Sequence, residues 1–141
     1  MPAQTFLDGT ASGEPLGLTS MGAFADVNEL PPQQIWDGLL ARTVHGDRMT
    51  LTVIELEPGT DVPEHRHENE QMGILLDGSL TFRIGGEAKT FGRGGTWTIV
   101  AQVPHSVTAG PEGAVLVEVF SPVRDDWQAR DRLSPRPGRW P

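Results

Sequence analysis

Between residues 49 and 120, apolar and polar positions alternate in short runs, and turn-forming pairs separate the runs. Side chains along a strand point to its two faces in turn, so such alternation predicts half-buried strands. Residues 49–56 alternate with β-branched side chains and stop at Pro58-Gly59, a turn pair. Residues 71–76 predict a second strand. Asp77-Gly78 follows it, and Asp-Gly between two strand-like runs is a hairpin signal. In residues 79–84, Leu80, Phe82 and Ile84 share one face. Gly85-Gly86 turns into residues 87–91, and a glycine-rich stretch leads into residues 96–100. Residues 105–109 and 114–120 complete the series. Roughly seven short strands in about 70 residues predict an all-β sandwich or barrel.

The flanks differ. Residues 1–25 mix Gly, Ser, Thr and Pro with few apolar anchors, and predict an arm that is flexible or packed on a partner subunit. Residues 30–40 predict a short helix or turn after Pro31-Pro32. The end of the chain alternates prolines with arginines, and a short helix is expected near residues 125–133. The expected organisation is an arm (1–25), a barrel (26–125) and a tail (126–141).

Composition narrows the chemistry. A chain of 141 residues fits one domain. It has no cysteine, which excludes thiolate metal sites and cysteine nucleophiles. A net charge of −8 without a basic cluster repels phosphate backbones, so no nucleic-acid partner is expected. No apolar run is long enough to span a bilayer, and the first 25 residues lack the basic-then-apolar plan of a signal peptide. The expectation is a soluble, cytoplasmic protein acting on a small molecule.

The candidate chemistry lies in one run, Gly59 through His65, His67 and Gln71 to Gly78, with His105 further on. His-x-His on a strand sends both imidazoles to one face. Gln71 and His105 must then come from neighbouring strands. Four converging nitrogen and oxygen ligands leave open positions on an octahedral ion, where chemistry takes place. Three neutral imidazoles and an amide leave a divalent ion its full double charge. That makes it a stronger Lewis acid and favours polarising a carbonyl or hydroxyl over oxygen redox. Such donors suit Zn, Ni, Fe, Co or Mn. Glu70, offset by one from Gln71, should face outward, unless a bulge makes it the rival ligand. His45 reads as a surface or satisfied core residue, and the four tryptophans as packing.

These residues resemble the cupins. Gly59, His65, His67, Gln71 and Gly78 match every spacing of the first cupin motif, with Gln71 in place of its glutamate. Gly94 and His105 match the second motif, while Val100, Gln102 and Ala109 depart from its Pro, Gly and Asn positions. The resemblance covers residues 45–125. It implies a double-stranded β-helix, or jelly-roll barrel, with a metal in its mouth held by His65, His67, Gln71 and His105, and a homodimer.

A narrower resemblance rests on the segment from Glu118 through Phe120, Pro122 and Arg124 to Trp127. It is similar to pectin-degradation cupins of the KdgF type, which open unsaturated uronate rings. It is similar also to polyketide cyclases of the tetracenomycin and resistomycin type. In the pectin group an acid, a phenylalanine and an arginine line the substrate side of the metal. The corresponding residues here are Glu118, Phe120 and Arg124, with Glu where that group has Asp. The implied roles are a proton shuttle at Glu118, packing against substrate at Phe120, and an anchor for an acid group at Arg124. A surface position for Glu118 and a structural salt bridge for Arg124 are the plain alternatives. The expected function is a Lewis-acid metal enzyme on an enolisable sugar or ketone, with an unsaturated uronate preferred. The rivals are a polyketide cyclase, an iron dioxygenase and a non-catalytic sugar-binding or sensor cupin.

Overall fold

The computed structural model describes residues 22–140. The arm expected at residues 1–25 therefore lies mostly outside the described residues. After a 3-10 turn at Val27–Glu29 come eight strands: β1 (Gln33–Trp36), β2 (Leu39–His45), β3 (Thr50–Leu56), β4 (Asp61–His65), β5 (Glu70–Ile84), β6 (Glu87–Phe91), β7 (Thr96–Ile99) and β8 (His105–Ser121). One helical turn, α1 (Asp125–Gln128), follows.

Strands β5 and β8 organise the rest. They pair antiparallel from Glu70↔Ser121 to Ile84↔His105, with register shifts between Leu75 and Asp77 and between Gly78 and Leu80. Before the break in β5, its neighbours are β7 and the second half of β8, and β3, β2 and β1 continue that sheet. Beyond the break, β5 pairs with β6, and the first half of β8 pairs with β4. One continuous ladder thus rolls into two facing layers, the expected all-β jelly-roll barrel. Inward residues of both layers, among them Ile54, Leu56, Val62, Leu75, Leu80, Ile99 and Phe120, fill the core.

Several expectations need correction. Of the helix or turn expected at residues 30–40, the turn is present at Asp37-Gly38 and the helix is not. Gln33–Trp36 and Leu39–His45 make a hairpin, with Gly38 at φ +81° between the strands. Asp77-Gly78 is not a hairpin turn either. The strand runs through it as a bulge, because both flanks already have a partner in β8. Gly78 takes φ +85°, and a Cβ there would collide with the Gly113 carbonyl, so the glycine allows two backbones to cross closely at the bend. The runs 105–109 and 114–120 are likewise one bent strand. The helix near 125–133 shrinks to four residues.

The proline-rich tail has no regular structure but is tied down. Leu133 N–H donates to Pro32 O at 2.8 Å, Arg42 Nη2 to Arg136 O at 2.9 Å, and Arg139 Nη2 to Leu56 O at 2.6 Å. Arg42 also forms a buried ion pair with Glu55, and Arg139 lies 3.7 Å from the same carboxylate. Among the described residues, no helix is long and apolar enough to cross a membrane.

Candidate metal centre

The three motif histidines meet at the barrel mouth. His65 closes β4 and is paired across the ladder with His105, the first residue of β8. Their ring centroids are 4.3 Å apart, and that of His67 is 4.9 Å from His105. His67 is not on a strand, as the His-x-His pattern implied. It lies in the loop after β4, where Gln102 N–H donates to its carbonyl at 2.8 Å. Gln71 comes from the opposite layer, in the row Ile99–Gln71–Phe120. Glu70 is exposed, so no register slip brings it inward.

The ring orientations are set by the backbone. His65 Nδ1 lies 2.8 Å from Pro63 O, His67 Nδ1 2.9 Å from Asn69 O, and His105 Nδ1 2.9 Å from Val103 O. A carbonyl oxygen only accepts, so each Nδ1 carries the proton and each neutral ring keeps its lone pair on Nε2. One ligand atom from each ring lies within 4.8 Å of the others. His105 Nε2 is buried and has no hydrogen-bond partner among the described residues. His67 Nε2 faces Gln71 Oε1 at 3.1 Å. Two lone-pair atoms at that distance repel unless a positive charge sits beside both. An orphaned imidazole nitrogen and two opposed acceptors are what a bound cation resolves, so the donor set fits a metal ion.

Burial disfavours the charged ring and lowers the His67 and His105 pKa values, that of His105 to about 4. These lone pairs are therefore free at neutral pH. The Gln71 amide nitrogen donates to Glu118 Oε2, and Trp97 Nε1–H donates to the same oxygen at 2.7 Å. Glu118 is buried, not a surface charge, and desolvation raises its pKa to about 7 against the opposing pull of those two donors.

Arg124 is also buried. Its Nε and Nη2 bond Asp126 at 3.0 and 2.8 Å, and its guanidinium stacks 4.2 Å from the Trp127 ring centroid and 4.7 Å from that of Phe120. The salt-bridge reading of Arg124 is thus realised, while Nη1 makes no hydrogen bond among the described residues. His45 is a core residue, with Nδ1 2.8 Å from Thr50 Oγ1, but it is not the satisfied one expected: its Nε2, like that of His105, is buried without a partner among the described residues. The cleft, a cavity of about 40 Å³, is lined by the three motif histidines, Gln71, Glu118, Phe120, Arg124, Trp36 and Trp127. Sequence reading assigned Trp97, Trp36 and Trp127 to packing. Nothing in local spacing marks an indole whose N–H reaches a carboxylate two strands away.

A barrel of this topology with imidazoles at its mouth belongs to a known class. Residues 52–120 match the cupin domain family, Cupin_2. Among individual proteins it is similar to the pectin degradation protein KdgF of Dickeya dadantii (strain 3937), at 26% identity over 102 residues, 71% of this chain and 93% of that protein. The solved structure of KdgF from Halomonas sp. matches with a TM-score of 0.70 at 22% identity, covering 75% of this chain and 98% of that one. The polyketide cyclase RemF from Streptomyces resistomycificus matches with a TM-score of 0.63 at 23% identity, covering 72% and 80%. At these identities the solved structures speak for the fold.

Proposed function

We propose that this protein is a metal-dependent cupin enzyme that opens the ring of an unsaturated uronate, with His65, His67, Gln71 and His105 holding the ion. The observation that carries this reading is the convergence of three Nδ1-pinned imidazoles in a cleft, with the Gln71 amide oxygen 3.1 Å from His67 Nε2. A divalent ion bound there would act as a Lewis acid on a ring or hydroxyl oxygen of the substrate. Imidazole and amide donors suit Zn, Ni, Fe, Co or Mn.

Opening such a ring removes the proton of the anomeric hydroxyl and breaks the bond between the anomeric carbon and the ring oxygen. The enol left behind takes a proton at carbon and becomes a ketone. No oxidant or reductant is consumed. Glu118 suits this transfer, because a carboxyl with a pKa of about 7 both accepts and returns a proton near neutrality. Its Oε2 is engaged by Gln71 and Trp97, which leaves Oε1 for the proton. Arg124 Nη1 is available to a substrate carboxylate, with the guanidinium plane held by Asp126 and the two rings. Phe120 forms the apolar wall beneath it.

The test is metal analysis of protein purified without chelator, followed by ¹H NMR with unsaturated uronates. Loss of the vinyl proton signal, absent after chelation and in Glu118→Ala, is the expected result. Bound metal with unchanged uronate signals sinks this substrate, and oxygen consumption with iron would favour a dioxygenase.

The same proposal keeps residues 26–125 as the barrel, 126–141 as its tail, and the homodimer. Its support is an outer sheet face where Leu51 (45% exposed), Met72 (53%) and Ile74 (40%) sit in register beside Val119 and Val117. Sedimentation equilibrium giving a monomer would remove the homodimer.

A further inference from the structure

Strand β5 carries a glycine at the centre of its inward face. Gly73 pairs with Glu118 of β8 on one side and with Trp97 of β7 on the other, so the three residues form one row across the sheet. A Cβ at position 73 would lie 2.5 Å from Trp97 Cζ2 and 2.7 Å from Trp97 Cε2. The indole therefore lies directly over the glycine. Only the missing side chain lets a ring rooted on β7 cross β5 and reach a carboxylate rooted on β8. The far side of the indole is held by Phe82 and Phe91, at centroid distances of 4.9 and 5.7 Å.

The indole N–H is a donor only, and it ends on Glu118 Oε2 at 2.7 Å. The amide nitrogen of Gln71 ends on the same atom. Two donors converge there, so Oε2 presents an acceptor to the amide. A Gln71 amide turned the other way would press its oxygen against that acceptor. The observed orientation instead aims the amide oxygen at His67 Nε2, where it faces a lone pair and gains nothing without a cation. The pull that holds the amide in this orientation comes from behind it.

We propose that Trp97, reaching across Gly73, is a positioning residue of the metal centre: it anchors Glu118, and Glu118 holds the Gln71 amide with its oxygen toward the three histidines. The inference rests on the reading of His65, His67, Gln71 and His105 as that centre. Trp97 itself touches neither ion nor substrate. It acts through two side chains, and it sets how well the fourth ligand is presented.

The experiment uses the full chain, with affinity for Zn²⁺ measured by competition against a chromophoric chelator and the visible spectrum of the Co²⁺-loaded protein. Trp97→Phe keeps a ring between Phe82 and Phe91 and deletes the N–H. It should weaken Zn²⁺ binding by at least about threefold, less than the roughly 10- to 100-fold of losing a ligand's direct outer partner because Trp97 stands one side chain further back, and shift the Co²⁺ bands. In a Gln71→Ala background, where no amide remains to be held, the same change should alter affinity by less than about twofold. Gly73→Ala, whose methyl would displace the Trp97 ring and also press on the Val117 carbonyl, should reproduce the loss in the native background and not in Gln71→Ala, and serves if Trp97→Phe does not fold. An equal loss in both backgrounds, or unchanged affinity and Co²⁺ bands in Trp97→Phe, overturns the inference while the metal centre stands. A native chain that binds no Zn²⁺ overturns both.

Discussion

Gln71 Oε1 lies 3.1 Å from His67 Nε2, acceptor facing acceptor, while the amide nitrogen of Gln71 is spent on Glu118. The arrangement separates two tasks that a single carboxylate ligand would combine. The atom facing the candidate cation is neutral, and the buried acid stands one side chain behind it. Exchange of the two groups is therefore informative.

Gln71→Glu puts a second carboxyl against Glu118 in a buried site. The metal-free protein should lose about 1–3 kcal/mol, because one acid must take up a proton or remain unsatisfied. The double exchange Gln71→Glu with Glu118→Gln restores one acid and one amide and should recover most of that loss. Urea unfolding in the presence of chelator reads both values.

Metal binding should raise stability by mass action, by about 2.7 kcal/mol at a free ion concentration a hundred times Kd. In His105→Ala, thermal unfolding with and without added Zn²⁺ should show almost none of this gain. A full gain in that variant would mean that the ion binds elsewhere.

Acid should weaken the metal-free fold. Burial, the foremost cause at each site, holds His45, His67 and His105 below the ordinary value of 6.5, and His105 at about 4. A depressed folded-state value means stability that is complete above the unfolded value and lost as pH falls below it. Glu118, raised from 4.5 to about 7, works in the opposite sense: its fold keeps a proton that the unfolded chain has released, so it adds stability as pH falls across that interval. The His105 and Glu118 shifts are about equal and opposite, so the balance is tipped by His45 and His67, both lowered by burial, and stability should fall between pH 6.5 and 4.5. A melting temperature that holds level or rises over that interval would contradict this.

Glu55→Ala should leave the Arg42 guanidinium, whose side chain is 2% exposed, without its carboxylate. Breaking one side of a buried pair costs about 3–5 kcal/mol. The tail should loosen as well, because Arg139 approaches the same carboxylate, and faster proteolysis after residue 130 would report it.

Gln102 occupies a position where the second cupin motif has glycine, and it sits at φ +67°. A side chain in the left-handed region costs about 1 kcal/mol. Gln102→Gly should therefore stabilise the protein by up to about that amount, read as a higher urea midpoint at unchanged slope, provided the Gln102 N–H bond to His67 O survives.

Much of this architecture was legible from local pattern. Strand β3 appears as a β-branched run closed by Pro58-Gly59, and β6 and β7 as runs between glycines, because local propensity and turn residues mark a strand whichever faces it buries. The pattern failed where partners decided. Asp77-Gly78 has hairpin chemistry, yet it became a bulge because β8 was already paired on both sides of it. Residues 33–45 look ambiguous alone and became a hairpin once β3 offered an edge to β2.

The candidate site divides in the same way. Residue types and spacing along the chain determined that His65, His67, Gln71 and His105 are the donors to consider, since ligand chemistry is local to each side chain. Only the tertiary structure decided which nitrogen of each ring is free, that Glu118 faces inward, and that Trp97 reaches it over Gly73. Those facts depend on backbone carbonyls and on rows of residues from three strands, and such rows exist only after distant segments have paired.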